Sequence, residues 1–223
     1  MARRLMRSLE IIVSVAVFAC TTEPTVGPRT LVGLTVAPDS VVVALGDSVH
    51  LNAIGLAPDS ISYVGFPTAW ATSDGAIVTV DDAGEVQAVG LGMATVTAAA
   101  GGYSAAAQVI VEPPPVIALS ANSVAFTAVA GGPDPAVDSV LVTNSGGAQL
   151  TGLAIDSISY SSGATDWLQA TLSGATAPTA VVLAPMIATL PPGSYQATVP
   201  VTSARATNSP QPITVTLTLT AAP

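Results

Sequence analysis

Trp70–Val111 reads WATSDGAIVTVDDAGEVQAVGLGMATVTAAAGGYSAAAQVIV, and it alternates at period two. Ala94, Val96 and Ala98 alternate with Thr95 and Thr97, and Ala107, Val109 and Val111 close the run. Successive side chains of a strand point to opposite faces, so this pattern makes one apolar face and one hydroxyl-bearing face. Ser73-Asp74-Gly75, Asp82-Ala83-Gly84, Gly90 to Gly92 and Gly101-Gly102 break the alternation with residues that supply turn geometry. Short alternating strands with turns about every 8–12 residues predict a β-sandwich or barrel.

The same grammar extends outward. Upstream, Val49, Leu51 and Ala53 alternate with His50 and Asn52, between turn signals at Pro38-Asp39, Gly46-Asp47 and Pro58-Asp59. Downstream, Glu112-Pro113-Pro114-Pro115 interrupts it. Three prolines cannot donate to a ladder and favour a short, semi-rigid extended spacer. Beyond it, Ile213, Val215, Leu217 and Leu219 alternate with Thr214, Thr216 and Thr218, and Tyr195 to Val201 behaves likewise. Pro200 inside that last pattern predicts an edge strand or a bulge. No segment carries a convincing helical stripe. The expectation is an all-β chain of two tandem immunoglobulin-like β-sandwich domains after a signal peptide. The first domain spans 31–112, the proline linker 113–115 and the second domain 116–223.

Composition narrows the function. The 223 residues leave room for two domains of about 100 residues each. Half are apolar but only 9% are charged, against about 25% in ordinary soluble domains, so Ser, Thr, Asn and Gly must solvate the surface. Lysine is absent, and the basic residues are Arg3, Arg4, Arg7, Arg29 and Arg205. Nothing there neutralises a phosphate backbone, which argues against nucleic-acid binding. The apolar residues are scattered, with no uncharged stretch long enough for a helical membrane span.

Met1 to Cys20, MARRLMRSLEIIVSVAVFAC, has a basic start, an apolar centre from Ile11 to Phe18 and small Ala19 before the single cysteine. That is the form of a secretory signal. With Cys20 just after the cut, Val17-Phe18-Ala19-Cys20 resembles the lipobox of bacterial lipoproteins, departing from the common Leu-Ala-Gly-Cys through bulky Phe18. The resemblance implies a signal peptide over 1–19, an acylated Cys20 and a flexible tether over 20–30, whose Pro24, Gly27 and Pro28 suit a stalk. A plain signal peptide, or a short anchor helix with an incidental cysteine, is the alternative. Arg3-Arg4 lies in a context that fits twin-arginine export poorly. Cutting before Cys20 removes Glu10 from the 14 acidic residues and three from the 5 basic ones, leaving 13 against 2 and a formal charge near −11. Such a surface repels anionic headgroups, so attachment to the membrane has to run through the lipid. Thr21 lacks the aspartate that holds lipoproteins of this kind at the inner membrane, which points to the outer membrane or cell surface.

Particular motifs carry two further resemblances. Leu34 to Pro38 (L-x-V-x-P), Leu45 to Leu51 (L-G-D-S-V-x-L), Trp70 to Asp74 (W-x-T-S-D) and Val80 to Ala98 together resemble the bacterial Ig-like domain, group 2. That family implies a sandwich found in surface proteins, intimin- and invasin-type adhesins among them, and beside extracellular enzymes. Ser120 to Gly132, Val140 to Gly147, Trp167-Leu168 and Leu190 to Val201 resemble, less specifically, the BACON-type Ig-like domain. Its name reflects a suspected carbohydrate-binding role.

A search for chemistry yields little. His50, the only histidine, is out of phase with Val49 and Leu51 and should face solvent, with no Ser-His-Asp or Cys-His partner set in prospect. Asp81-Asp82 with Glu85 reads as a hairpin turn rather than a calcium loop, which would need acceptors over a longer stretch. Asp134 and Asp138 flank Pro135 in a loop. No enzyme, metal or cofactor is expected. Trp70, Trp167, Tyr103 and Tyr195 sit in strand patterns and are expected to pack. Tyr63 and Phe66, in the loop Asp59 to Thr68 (DSISYVGFPT), and Tyr160, in SISYSSGATD, are the candidate ligand-binding aromatics. The expected role is structural, adhesive or protein-interacting at the envelope. Alternatives are a carbohydrate-binding lipoprotein or an accessory subunit of an envelope enzyme.

Overall fold

A computed structural model describes residues 30–162 and 164–222. Cys20, the expected signal peptide over 1–19 and the expected tether up to residue 29 lie outside the described residues. In the first half, the strands are β1 (Gly33–Ala37), β2 (Ser40–Ala44), β3 (Ser48–His50), β4 (Asn52–Leu56), β5 (Ser62–Tyr63), β6 (Ala69–Thr72), β7 (Val78–Val80), β8 (Glu85–Ala88), β9 (Gly92–Ala100) and β10 (Tyr103–Glu112). They form a four-stranded sheet, β2-β10-β9-β6, with the short sheets β1-β4-β5 and β3-β8-β7 opposing it. The second half holds β11 (Ile117–Leu119), β12 (Ser123–Val129), β13 (Asp138–Asn144), β14 (Ala154–Ile155), β15 (Ser159–Ser162), β16 (Leu168–Leu172), β17 (Thr179–Pro185), β18 (Gly193–Thr202) and β19 (Gln211–Thr220). Its sheets are β11-β13-β17-β16 and β12-β19-β18-β14, with β15 also on β18.

Both halves begin the same way. A first strand pairs antiparallel within one sheet (β1 on β4, β11 on β13), and the chain then crosses to pair parallel with the last strand of the other (β2 on β10, β12 on β19). The second strand of each half thereby covers an edge of the last one.

The alternation read from the sequence is the burial pattern. Ala94, Val96, Ala98, Ala107, Val109 and Val111 are buried in the first half, and Ile213, Val215, Leu217 and Leu219 in the second. Two cores result, and they share no residue. The first is built mainly of Val and Ala around Leu51. The second holds Trp167, Tyr195 and Phe126 with Leu and Ile. Tyr195 lies near the start of β18 and donates its hydroxyl to the Pro191 carbonyl at 2.7 Å. That contact, a tyrosine reaching back a few residues at the corner between sheets, is a feature of Ig-type sandwiches.

Two local readings change. The alternation from Val49 to Ala53 is not one strand: β3 pairs β8, β4 pairs β1, and the chain changes sheet at Leu51, whose N–H donates to Gly84 O at 2.8 Å. Pro200 sits in a central strand rather than at an edge. It stands opposite Pro212 on β19, and on its other side the neighbour changes from β14 to β15 around it. A missing N–H costs little where the ladder already has a gap. A register shift does occur, on β15 between Tyr160 and Ser162.

By their contacts, Leu31–Pro223 form one compact unit. The proline linker is gripped by second-half loops: Pro113 O accepts from Ala148 N, and Pro115 O from Thr207 N. The Asn144 carboxamide oxygen accepts from Val116 N, and Asn208 both accepts from Ile117 N and donates to Ile117 O. Gly146 lies so close that a Cβ would stand 2.2 Å from Pro114 O. Across the junction, Arg205 pairs with Asp47 at 2.7 Å. Arg205 is the one basic residue after Arg29.

Candidate functional site

Tyr63 and Phe66 lie together. Tyr63 belongs to β5, opposite Gly55, so part of the expected loop is strand. Phe66 follows the turn at Gly65, where φ is +80°. Their rings meet edge to face at 5.2 Å, and both are half-buried. They fold back over Gly55, where a Cβ would stand 3.0 Å from Phe66 Cε1 and 3.2 Å from Tyr63 Cζ.

Tyr160 is not brought to this pair. It packs against the second core, meets Trp167 edge to face at 6.0 Å and donates its hydroxyl to Leu168 O at 3.3 Å. Trp167 is 2% exposed, and its indole N–H has no hydrogen-bond partner among the described residues.

Trp70 differs from Trp167. On β6, at the margin of its sheet, it is only half-buried, with part of its ring against the first core. Together with Phe66 it walls an open cleft of about 350 Å³, floored by Leu51 and Ala53 and edged by His50, Asn52, Thr68 and Asp82. The turn before β8 shapes one side. Asp81 accepts from Ala83 N and Glu85 N at 2.9 and 2.8 Å, so its carboxylate holds the turn. Gly84, at φ +87°, would bring a Cβ within 2.9 Å of the Trp70 ring. Asp82 is exposed at the rim. His50 is exposed as its phase predicts, with Nδ1 3.6 Å from a Glu85 carboxylate oxygen. The sequence singled out Phe66 here but treated Trp70 as core, and nothing in it linked His50, Asn52 and Asp82 to either ring. A larger cleft of about 440 Å³, lined by Leu119 to Asn122 with Gln211 and Pro212, has neither an aromatic ring nor a charged group.

Among the described residues, no cluster of three or more His, Cys, Asp or Glu side chains is placed to hold a metal ion. Among them also, no helix is long and apolar enough to cross a membrane.

Comparison with solved structures returned many distant matches. Domains 1–6 of the surface layer protein SbsC are 16% identical, with a TM-score of 0.39; the match covers 86% of this chain and 28% of that one. The Escherichia coli adhesin FdeC is 16% identical with a TM-score of 0.39, over 82% of this chain and 63% of that one. The titin I-band fragment I67–I69 is 14% identical with a TM-score of 0.39, over 86% and 65%. This chain thus spans little more than a quarter of the SbsC fragment. Comparison with curated proteins gave no match. Family models gave a definite one, confined to the first sandwich: residues 32–111 match the bacterial Ig-like domain (group 2).

Proposed function

We propose that this chain is a non-catalytic, lipid-anchored protein of the bacterial cell envelope, whose two Ig-like sandwiches serve a structural or adhesive role at the outer membrane or cell surface. The observation that carries the reading is the group 2 bacterial Ig-like match over residues 32–111. The gripped linker supports a spacer role, since a hydrogen-bonded linker is stiffer than a free one. The N-terminal residues support the anchor, with the only cysteine at the end of a secretory signal and a proline-bearing stalk after it. Two or more acyl chains give stable attachment, since each buried methylene contributes about 0.8 kcal/mol. In this reading the second sandwich is a BACON-type domain.

Replacing Cys20 by Ser tests the proposal in cells. The wild type should fractionate with membranes and be cleaved by protease added to intact cells. The Cys20→Ser protein should be uncut or released. A variant that stays membrane-bound at unchanged mature mass overturns the lipid anchor. Resistance of the wild type on intact cells overturns surface display.

A further inference from the structure

We infer that the cleft between Phe66 and Trp70 is a binding site for a neutral saccharide. The inference goes beyond the anchoring proposal and stands apart from it, because it concerns the first sandwich alone.

Sugar recognition needs an apolar surface for the C–H face of the ring and a fringe of mixed donors and acceptors for the hydroxyls. Both are present within one small opening. Phe66 and Trp70 are half-buried rings held from behind: Phe66 by Tyr63 and the close approach to Gly55, Trp70 by the first core and Gly84. Neither has to be ordered on binding, which lowers the entropic cost of association. The rim offers the Asn52 carboxamide, the His50 imidazole, the Thr68 hydroxyl oxygen and the Asp82 carboxylate. The Thr68 hydroxyl donates to Phe66 O at 3.1 Å, so its oxygen is turned toward the acceptor role. Asp81, next in the chain, is committed to its turn, whereas Asp82 stands exposed.

Size and charge narrow the class. A volume of about 350 Å³ sits at the low end of small-ligand sites, room for one or two sugar rings of a chain open to solvent at both ends. Among the described residues no arginine or lysine lies near it: their one arginine is Arg205, paired with Asp47 at the junction. An acidic rim on an acidic protein repels uronates and sialic acids. The cleft is open and its two rings do not enclose a cation, whereas the interleaved donors and acceptors of the rim match sugar hydroxyls.

The two tryptophans make the test direct, since Trp167 is 2% exposed and ligand-induced changes in fluorescence report on Trp70. The mature chain is titrated with cello-, manno-, xylo- and chito-oligosaccharides, and with oligogalacturonate and choline as comparators. The expected result is a saturable change at millimolar concentration with at least one neutral oligosaccharide. Phe66→Ala should bind roughly tenfold more weakly. Asp82→Asn, which leaves the aromatic walls in place, should weaken binding and keep the wild-type melting profile, while Thr68→Val, which also removes the hydroxyl's bond to Phe66 O, should weaken binding with a small fall in the melting midpoint. Three results overturn the inference: no saturation by any neutral oligosaccharide, saturation by choline or oligogalacturonate instead, or unchanged affinity in Asp82→Asn and Thr68→Val. Should Phe66→Ala unfold, those two variants decide alone.

Discussion

Gly84 carries two constraints at once. Its φ of +87° is one that side-chain-bearing residues rarely adopt, and a Cβ would stand 2.5 Å from the Leu51 carbonyl as well as against Trp70. Gly84→Ala should therefore cost about 1–3 kcal/mol, read as a lowered denaturation midpoint at unchanged slope. The tryptophans should separate in the same assay. Trp167→Ala removes a fully enclosed ring and should cost about 3–5 kcal/mol; Trp70→Ala, half-exposed, should cost about half as much. Equal losses would contradict the placement of Trp70 at the cleft. In the sequence, period two told His50 from Leu51 correctly, since phase alone decides which side of a strand a residue faces. It could not tell Trp70 from Trp167, because phase says nothing of how near a sheet margin a residue lies. The cleft itself was illegible: its lining falls in residues 50–53, 64–70 and 82–83, three segments that meet only when the sandwich closes.

The strands follow the sequence closely where apolar residues alternate over several positions, as in β10, β18 and β19. Two departures have local causes. At Leu51 the apolar rhythm runs on while the hydrogen bonds change partner, and side-chain pattern carries no record of partner choice. At Pro200 a proline was expected to mark an edge or bulge, yet it occupies a central strand because its missing N–H falls where the neighbour of β18 changes from β14 to β15. The contrast between cores predicts an order of unfolding. Each methylene lost between a Leu or Phe and a Val or Ala removes about 0.8 kcal/mol of burial, and the first core is the Val- and Ala-rich one. In equilibrium denaturation, fluorescence of a Trp167→Phe protein, reporting the first sandwich, should change at lower denaturant than that of a Trp70→Phe protein, reporting the second. Coincident transitions would mean that the junction couples the two halves into one unfolding unit.

At the scale of the whole molecule the junction matters most. Three prolines announced a stiff spacer, but its partners Gly146, Ala148 and Thr207 lie well downstream, so the grip was invisible before folding. The Asp47–Arg205 pair adds little stability, since both side chains are about half exposed; Arg205→Ala should change it by less than about 1 kcal/mol. The hydrogen bonds and close glycines should matter more. Gly146→Ala, whose Cβ would press on Pro114 O, should broaden the interdomain distance distribution measured between spin labels on the two sandwiches, while each sandwich keeps its own fold. An unchanged distribution would show that the grip does not set the geometry. The proposed function fixes one end of the chain at Cys20. Mass spectrometry of the N-terminal peptide from membrane-extracted protein tests that claim most directly. The chain should begin at Cys20, with Thr21 next and a mass increment of two or three acyl groups on the cysteine. An unmodified Cys20, still preceded by Ala19 in a membrane-bound chain, would contradict it.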